Sequence, residues 1–121
     1  MNKKIIVAED SSVIQNLTKK ILMQLSYDVT IVKDGTEVLQ KLEDETYDLM
    51  LLDIHMPGMD GMTCTEKIRS SGKSYQEIPI IAITGNANNY SEDDFRKVGI
   101  NAFVPKPLNY DLVVENVKKF I

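Results

Sequence analysis

Leu49-Met50-Leu51-Leu52-Asp53-Ile54-His55-Met56-Pro57-Gly58-Met59-Asp60-Gly61 is the stretch on which the reading of this chain turns. Its first four residues are apolar without a break, and Pro57-Gly58 closes the segment with a turn signal. A short apolar run that does not alternate reads as a strand covered on both faces, as strands are in a parallel sheet. Outward from it, Lys4–Ala8 and Ile80–Ile83 repeat the pattern, and Val29–Val32 and Ala102–Val104 add two further short runs. Between the runs, apolar residues recur at the three-and-four spacing of helices, most clearly Ile14, Leu17, Ile21 and Leu25, then Val113, Val117 and Phe120. Ser91 and Asn109 suit the N-caps of the fourth and fifth helices, and Gly99 can close the fourth in a left-handed turn. The chain therefore reads as a strand–helix unit repeated five times.

That alternation implies an α/β fold, a doubly wound five-stranded parallel sheet with helices on both faces. Five-stranded sheets of this kind commonly take the order 2-1-3-4-5, the flavodoxin-like arrangement. It makes the first and third strands neighbours and opens a ligand crevice at their carboxyl ends, where the winding reverses. At 121 residues the chain has the size of one ordinary domain, expected to span 1–121. No linker, repeat or low-complexity stretch is left over, so no fused effector or sensor is expected within it.

Charge excludes further classes. Acidic residues outnumber basic ones 18 to 14, the net charge is −4, and no Lys/Arg block is present, so direct nucleic-acid binding is not expected. The longest apolar stretches are strand-sized, such as Ile78–Ile83 around Pro79, and no secretory leader opens the chain. A soluble cytoplasmic protein with no membrane partner is the expectation. Cys64, the one cysteine, cannot form an internal disulfide and reads as a small buried side chain on a helix.

The polar residues at the strand ends carry the chemistry. The first strand runs out into Glu9 and Asp10, the third into Asp53, the fourth into Thr84, and the fifth into Lys106 and Pro107. Three carboxylates gathered at one end of a sheet repel one another unless a cation compensates. Mg²⁺ suits such an oxygen-rich set: Asp10 and Asp53 as direct ligands, Glu9 direct or through water, and the backbone carbonyl of His55 to complete the protein's share, with Mn²⁺ as a substitute. Lys106 can neutralise one phosphoryl oxygen and the Thr84 hydroxyl can donate to another, which suits phosphoryl transfer better than metal storage. Asp53 is then placed as an in-line nucleophile, and the acyl phosphate it would form is a high-energy, reversible signal.

With these residues the sequence resembles, over essentially its whole length, the receiver domain of two-component response regulators. Four motifs carry the resemblance: V-A-E-D, L-L-D-I-H-M-P-G-M-D-G, I-A-I-T-G-N-A and F-V-P-K-P. It implies that Glu9 and Asp10 are metal-site acids, Asp53 the phosphorylated residue, Thr84 the switch hydroxyl, Phe103 the switch aromatic and Lys106 the family's lysine. It also implies a cis peptide between Lys106 and Pro107, and a role for His55 and Asn86 in the lifetime of the phosphorylated form. The implied function is a phosphorelay switch, not an enzyme, which accepts its phosphoryl group from a histidine kinase or histidine phosphotransfer protein and assists its own phosphotransfer and autodephosphorylation. Its output would be a changed surface on the fourth helix, fifth strand and fifth helix, read by a downstream protein target. The wording of the second and third motifs looks more like receivers attached to hybrid histidine kinases than like those of transcription factors. Ser26 departs from the pattern, standing where the family usually has glycine.

Other readings fit less well. A phosphohydrolase of the haloacid-dehalogenase type needs a second acid two residues after its nucleophile, where this chain has His55. A flavin carrier of the same fold class should not begin its phosphate loop with Glu9 and Asp10. A receiver serving only as an inactive docking module would not need the full set of acids, acceptor, hydroxyl and lysine. His55 itself reads as an exposed loop residue, since a hard oxygen site does not call for imidazole. Met56, Met59 and Met62 read as loop packing.

Overall fold

Five strand–helix units follow one another: β1 (Lys4–Ala8), α1 (Ser12–Gln24), β2 (Asp28–Val32), α2 (Gly35–Asp44), β3 (Leu49–Asp53), α3 (Gly61–Arg69), β4 (Ile80–Thr84), α4 (Glu92–Val98), β5 (Ala102–Pro105) and α5 (Tyr110–Phe120). The computed structural model describes residues 2–85 and 90–121. All strand pairs are parallel and the sheet order is β2-β1-β3-β4-β5, as the apolar pattern requires. β3 and β4 are buried at every position. Two apolar layers cover the sheet. Ile6, Ala8, Met50, Leu52, Ile80 and Ala82 belong to one, with α2, α3 and Phe95 of α4, while Ile5, Val7, Leu49, Leu51, Ile81 and Ile83 face α1 and α5.

The helix ends follow from local chemistry. Ser11, Asp34 and Asp60 cap α1, α2 and α3 through their side chains, and Asn109 caps α5. Ser91 and Asp94 form a reciprocal capping box on α4, and Gly99 ends that helix at φ 98°. Ser26 takes the left-handed conformation at φ 68°, so the missing glycine leaves the turn intact but places a side chain in a region that disfavours one. The Lys106–Pro107 peptide is cis.

Three differences from the sequence reading matter. β3, β4 and β5 each run one residue further than their apolar runs, because main-chain bonds continue past Asp53 and Thr84: Ile54 N–H donates to Ile83 O at 3.0 Å and Lys106 N–H to Thr84 O at 2.8 Å. β2 starts one residue earlier, at Asp28, whose N–H donates to Lys3 O at 2.9 Å. Third, α1 does not bury its apolar stripe: Thr18 and Leu22 face the sheet, while Val13 is 73% and Leu17 45% exposed. Thr18 is accommodated there by a 3.0 Å hydrogen bond between its hydroxyl and that of Tyr110 in α5.

Candidate functional site

Asp53 closes β3 between two neighbouring strands and is 1% exposed. Its carboxylate accepts the His55 N–H on Oδ1 at 3.0 Å and the Lys106 ammonium on Oδ2 at 3.1 Å. Just beyond, the loop folds back because Gly61 donates its N–H to Ile54 O at 2.9 Å. A Cβ at Gly61 would lie 2.8 Å from Ile54 Cα, so only glycine lets α3 begin so close to the strand end.

Glu9 and Asp10 follow β1 directly. Glu9 N–H still reaches Val32 O at 3.0 Å, which extends the pairing with β2 and draws Glu9 inward until it is fully buried, while Asp10 is exposed. Glu9 Oε2 accepts the Ser11 N–H at 3.0 Å, and the Gln15 side-chain amide donates to the Glu9 carbonyl. Oε1 lies 3.3 Å from Lys106 Nζ, close enough for an ion pair but not aligned as a hydrogen bond, so it keeps a free acceptor position. Burial raises the Glu9 pKa, and the nearby Asp53 adds to that, against the Ser11 amide and Lys106. For Lys106 burial works in the lowering direction, yet its bonds and charge contacts with Asp53 and Glu9 outweigh it and the net shift is upward.

Glu9, Asp10 and Asp53 each bring a carboxylate oxygen to within 4.8 Å of the others. One ammonium, paired with Glu9 and Asp53, against three acids leaves the cluster negative. Hard oxygen donors, one of them buried without hydrogen-bond alignment, fit a divalent cation such as Mg²⁺. Thr84 ends β4, is 2% exposed, and its Oγ1 has no hydrogen-bond partner among the described residues.

Every strand-end residue named from the sequence, Glu9, Asp10, Asp53, Thr84 and Lys106, thus lies at the carboxyl edge of the sheet. His55 contributes its amide to Asp53 and exposes its side chain. Asn86 lies outside the described residues. Phe103 pairs in register with Ala82, on the face shared with Thr84 by the two-residue strand period. Its ring is 38% exposed and rests 5.4 Å from that of Phe95 in α4, which in turn lies 6.0 Å from Tyr90. Cys64 is buried on α3, and burial pushes its thiol up to about 12, away from the thiolate that a nucleophile needs. Met56 and Met62 are buried in the layer that covers α2 and α3, with Met59 packed against it.

Sequence reasoning missed Ser11 and Gln15, which hold the Glu9 loop, and Phe95, which receives Phe103. It also missed an apolar cavity of about 210 Å³ lined by Ile14, Leu17, Lys106, Pro107, Leu108 and Tyr110, which places the exposed edge of α1 against the lysine of the site. Gln15 lies six residues after Glu9, inside α1, and no spacing in the sequence marked it.

The sequence matches the family model of the response regulator receiver domain over residues 5–118. It is 34% identical over 119 residues to the CAI-1 autoinducer sensor kinase/phosphatase CqsS of Vibrio cholerae, covering 98% of this chain and 17% of that protein. It is also 34% identical over 129 residues to hybrid signal transduction histidine kinase I of Dictyostelium discoideum, covering 98% of this chain and 7% of that protein. The chain therefore spans a small part of the length of these curated relatives. Among solved structures, it is similar to the receiver domain of the sensor histidine kinase PA1611 from Pseudomonas aeruginosa, whose structure has a magnesium ion coordinated in the active-site cleft. The TM-score is 0.88 and the identity 29%, with 99% of this chain and 98% of that one covered. No helix among the described residues is long and apolar enough to cross a membrane.

Proposed function

The chain belongs to the response regulator receiver domain family of two-component signalling, and from that premise we propose that residues 1–121 act as one phosphorylation switch with Asp53 as its acceptor. The observation that carries this reading is the placement of Asp53, buried at a strand end, bonded to Lys106 at 3.1 Å, within reach of two further acids and beside β4, which ends in Thr84. An Asp53 oxygen attacks the phosphorus of a phosphohistidine on a histidine kinase or histidine phosphotransfer protein. The P–N bond breaks, the imidazole nitrogen leaves with the bonding pair, and an acyl phosphate forms. When bound by Asp10, Asp53, the His55 carbonyl and Glu9, directly or through water, Mg²⁺ or Mn²⁺ supplies neutralisation of phosphoryl charge. Lys106 neutralises a further phosphoryl oxygen, and Thr84 Oγ donates to another.

Reversal needs only water. Its attack on the phosphorus breaks the P–O bond and returns the carboxylate and inorganic phosphate, and the family resemblance assigns the tuning of that rate to His55 and Asn86. The exposed Leu17, which lines the apolar cavity at Lys106, and the exposed Val13 on the same helix support docking of the phosphodonor along α1. In the signalling state Thr84 is drawn to the phosphoryl group and Phe103 moves into the space beside β4, changing the α4-β5-α5 surface offered to a downstream protein. The relatives support a place within a larger histidine kinase, and the setting proposed for this domain is cytoplasmic. Intact mass after incubation with acetyl phosphate and Mg²⁺ tests the reading. One phosphate should add to the wild type and none to Asp53→Asn, and a phosphate retained by Asp53→Asn moves the acceptor elsewhere.

A further inference from the structure

Arg69, the last residue of α3, carries a guanidinium that the acceptor site does not use. Nε and Nη2 both donate to the Gly99 carbonyl, at 3.0 and 2.8 Å, Nη1 donates to the Gln76 carbonyl at 2.6 Å, and Nη2 reaches Asn101 Oδ1 at 3.1 Å. Asn101 Oδ1 also accepts the Ile80 N–H at 2.8 Å, and Asn101 N–H donates to Ile80 O at 2.9 Å. One side chain on α3 thus joins the end of α4, the approach to β5, the start of β4 and the loop between α3 and β4. Gly99 fits this arrangement doubly: its φ is 98°, and a Cβ there would come 2.8 Å from Arg69 Nε. Among the described residues no carboxylate forms a direct ion pair with Arg69, so its hydrogen bonds go to carbonyl and amide oxygens, with the Glu77 carboxylate acting on the half-buried charge only from a distance.

The other end of α4 is held differently. Its Ser91–Asp94 capping box is internal to the helix end, Glu92 and Asp93 are exposed, and Phe95 is its one buried side chain. Phe95 is also the residue against which Phe103 rests.

We propose that Arg69 is a positioning residue that fixes the C-terminal end of α4, so that displacement of this helix during switching is a rotation about Gly99 that grows toward Glu92. The proposal rests on the reading of phosphorylation as a change in the α4-β5-α5 surface, and it divides that surface. The first turn of α4 together with Phe103 differs between the two states, whereas Gly99–Asn101 stays in place.

Residue-resolved amide exchange and NMR shifts test it on the full chain, comparing wild type with Arg69→Met and Arg69→Lys, free and with Mg²⁺ and beryllofluoride. The lysine variant keeps a charge but cannot span the Gly99 and Gln76 carbonyls with one ammonium. Exchange at Ile100 and Asn101 should quicken about tenfold or more in both variants once any change in global stability is subtracted, as loss of charged hydrogen bonds predicts. Beryllofluoride affinity should be unchanged. Shift changes in the wild type should decline from Glu92 to Gly99, and in the variants they should extend through Asn101. Equal exchange in all three proteins overturns the proposal, as do wild-type shift changes at Gly99–Asn101 as large as those at Glu92–Phe95. If beryllofluoride shifts nothing in the wild type, the switch reading fails, and the exchange comparison still decides whether Arg69 is the anchor.

Discussion

Thr84→Val should change the resting and signalling states in opposite directions. In the resting structure the hydroxyl is 2% exposed and its oxygen has no hydrogen-bond partner among the described residues, so none of them offsets its lost hydration. A buried polar group left unsatisfied costs about 1–3 kcal/mol, and valine has nearly the same shape without the hydroxyl. The free variant should therefore match the wild type or exceed it by up to about 1 kcal/mol in unfolding free energy, with an unchanged denaturant slope. With a phosphoryl analogue bound the sign reverses. There the hydroxyl would donate to a fluoride that stands in for an anionic phosphoryl oxygen, a bond worth about 1.5–3 kcal/mol, so the variant should bind beryllofluoride in the presence of Mg²⁺ roughly 10- to 100-fold more weakly. Urea unfolding of the free proteins and calorimetric titration with beryllofluoride measure the two halves. A free variant destabilised by more than about 1 kcal/mol would mean that the hydroxyl is already satisfied at rest. Unchanged beryllofluoride affinity would mean that it never reaches the phosphoryl group.

Further predictions address the acids and the backbone. The folded-state pKa of Glu9 is raised above its ordinary value, so the protonated acid favours folding. The stability it contributes is present below the usual glutamate range and lost as pH rises through the folded value. With EDTA present, Glu9→Gln should become progressively more stable than wild type as pH rises above the usual glutamate range, and a flat difference in unfolding free energy refutes the assignment. Asp10→Ala should abolish Mg²⁺ binding more fully than Glu9→Ala, because the shorter exposed acid is the better-placed direct ligand; a Mg²⁺ titration with no loss for Asp10→Ala removes it from the site. Ser26→Gly should raise stability by about 0.5–1 kcal/mol by relieving a left-handed serine at φ 68°, and an unchanged or lower denaturant midpoint contradicts that.

The fold and the address of the site were legible because both rest on patterns that repeat locally. The near-continuous apolar runs of Lys4–Ala8, Leu49–Leu52 and Ile80–Ile83 required strands covered on both faces, and five strand–helix units left the doubly wound sheet as the arrangement that covers them. A strand has a direction, so residues that follow its apolar run stand at its carboxyl end. Glu9, Asp10, Asp53, Thr84 and Lys106 could be gathered on that reasoning alone. Ser91, Gly99 and Asn109 were legible for a similar reason, since a cap bonds to residues only two to four positions away.

What surrounds each side chain was a different matter. Glu9 and Asp10 are adjacent and alike in charge, yet one is fully buried and the other exposed, because β2 takes the Glu9 amide into its ladder. The apolar stripe on α1 announced a helix but not its orientation, and packing on the sheet and α5 chose Thr18 and Leu22 for the interior over Leu17. Arg69 gave no signal in sequence, since its partners lie 7, 30 and 32 residues away and are backbone carbonyls as much as side chains. Periodicity fixes which residues share a face and which end of a strand they occupy. Only the tertiary structure decides what covers that face, because burial and pairing depend on elements far apart in the chain, and those set the charge and hydrogen-bonding capacity each group keeps for function.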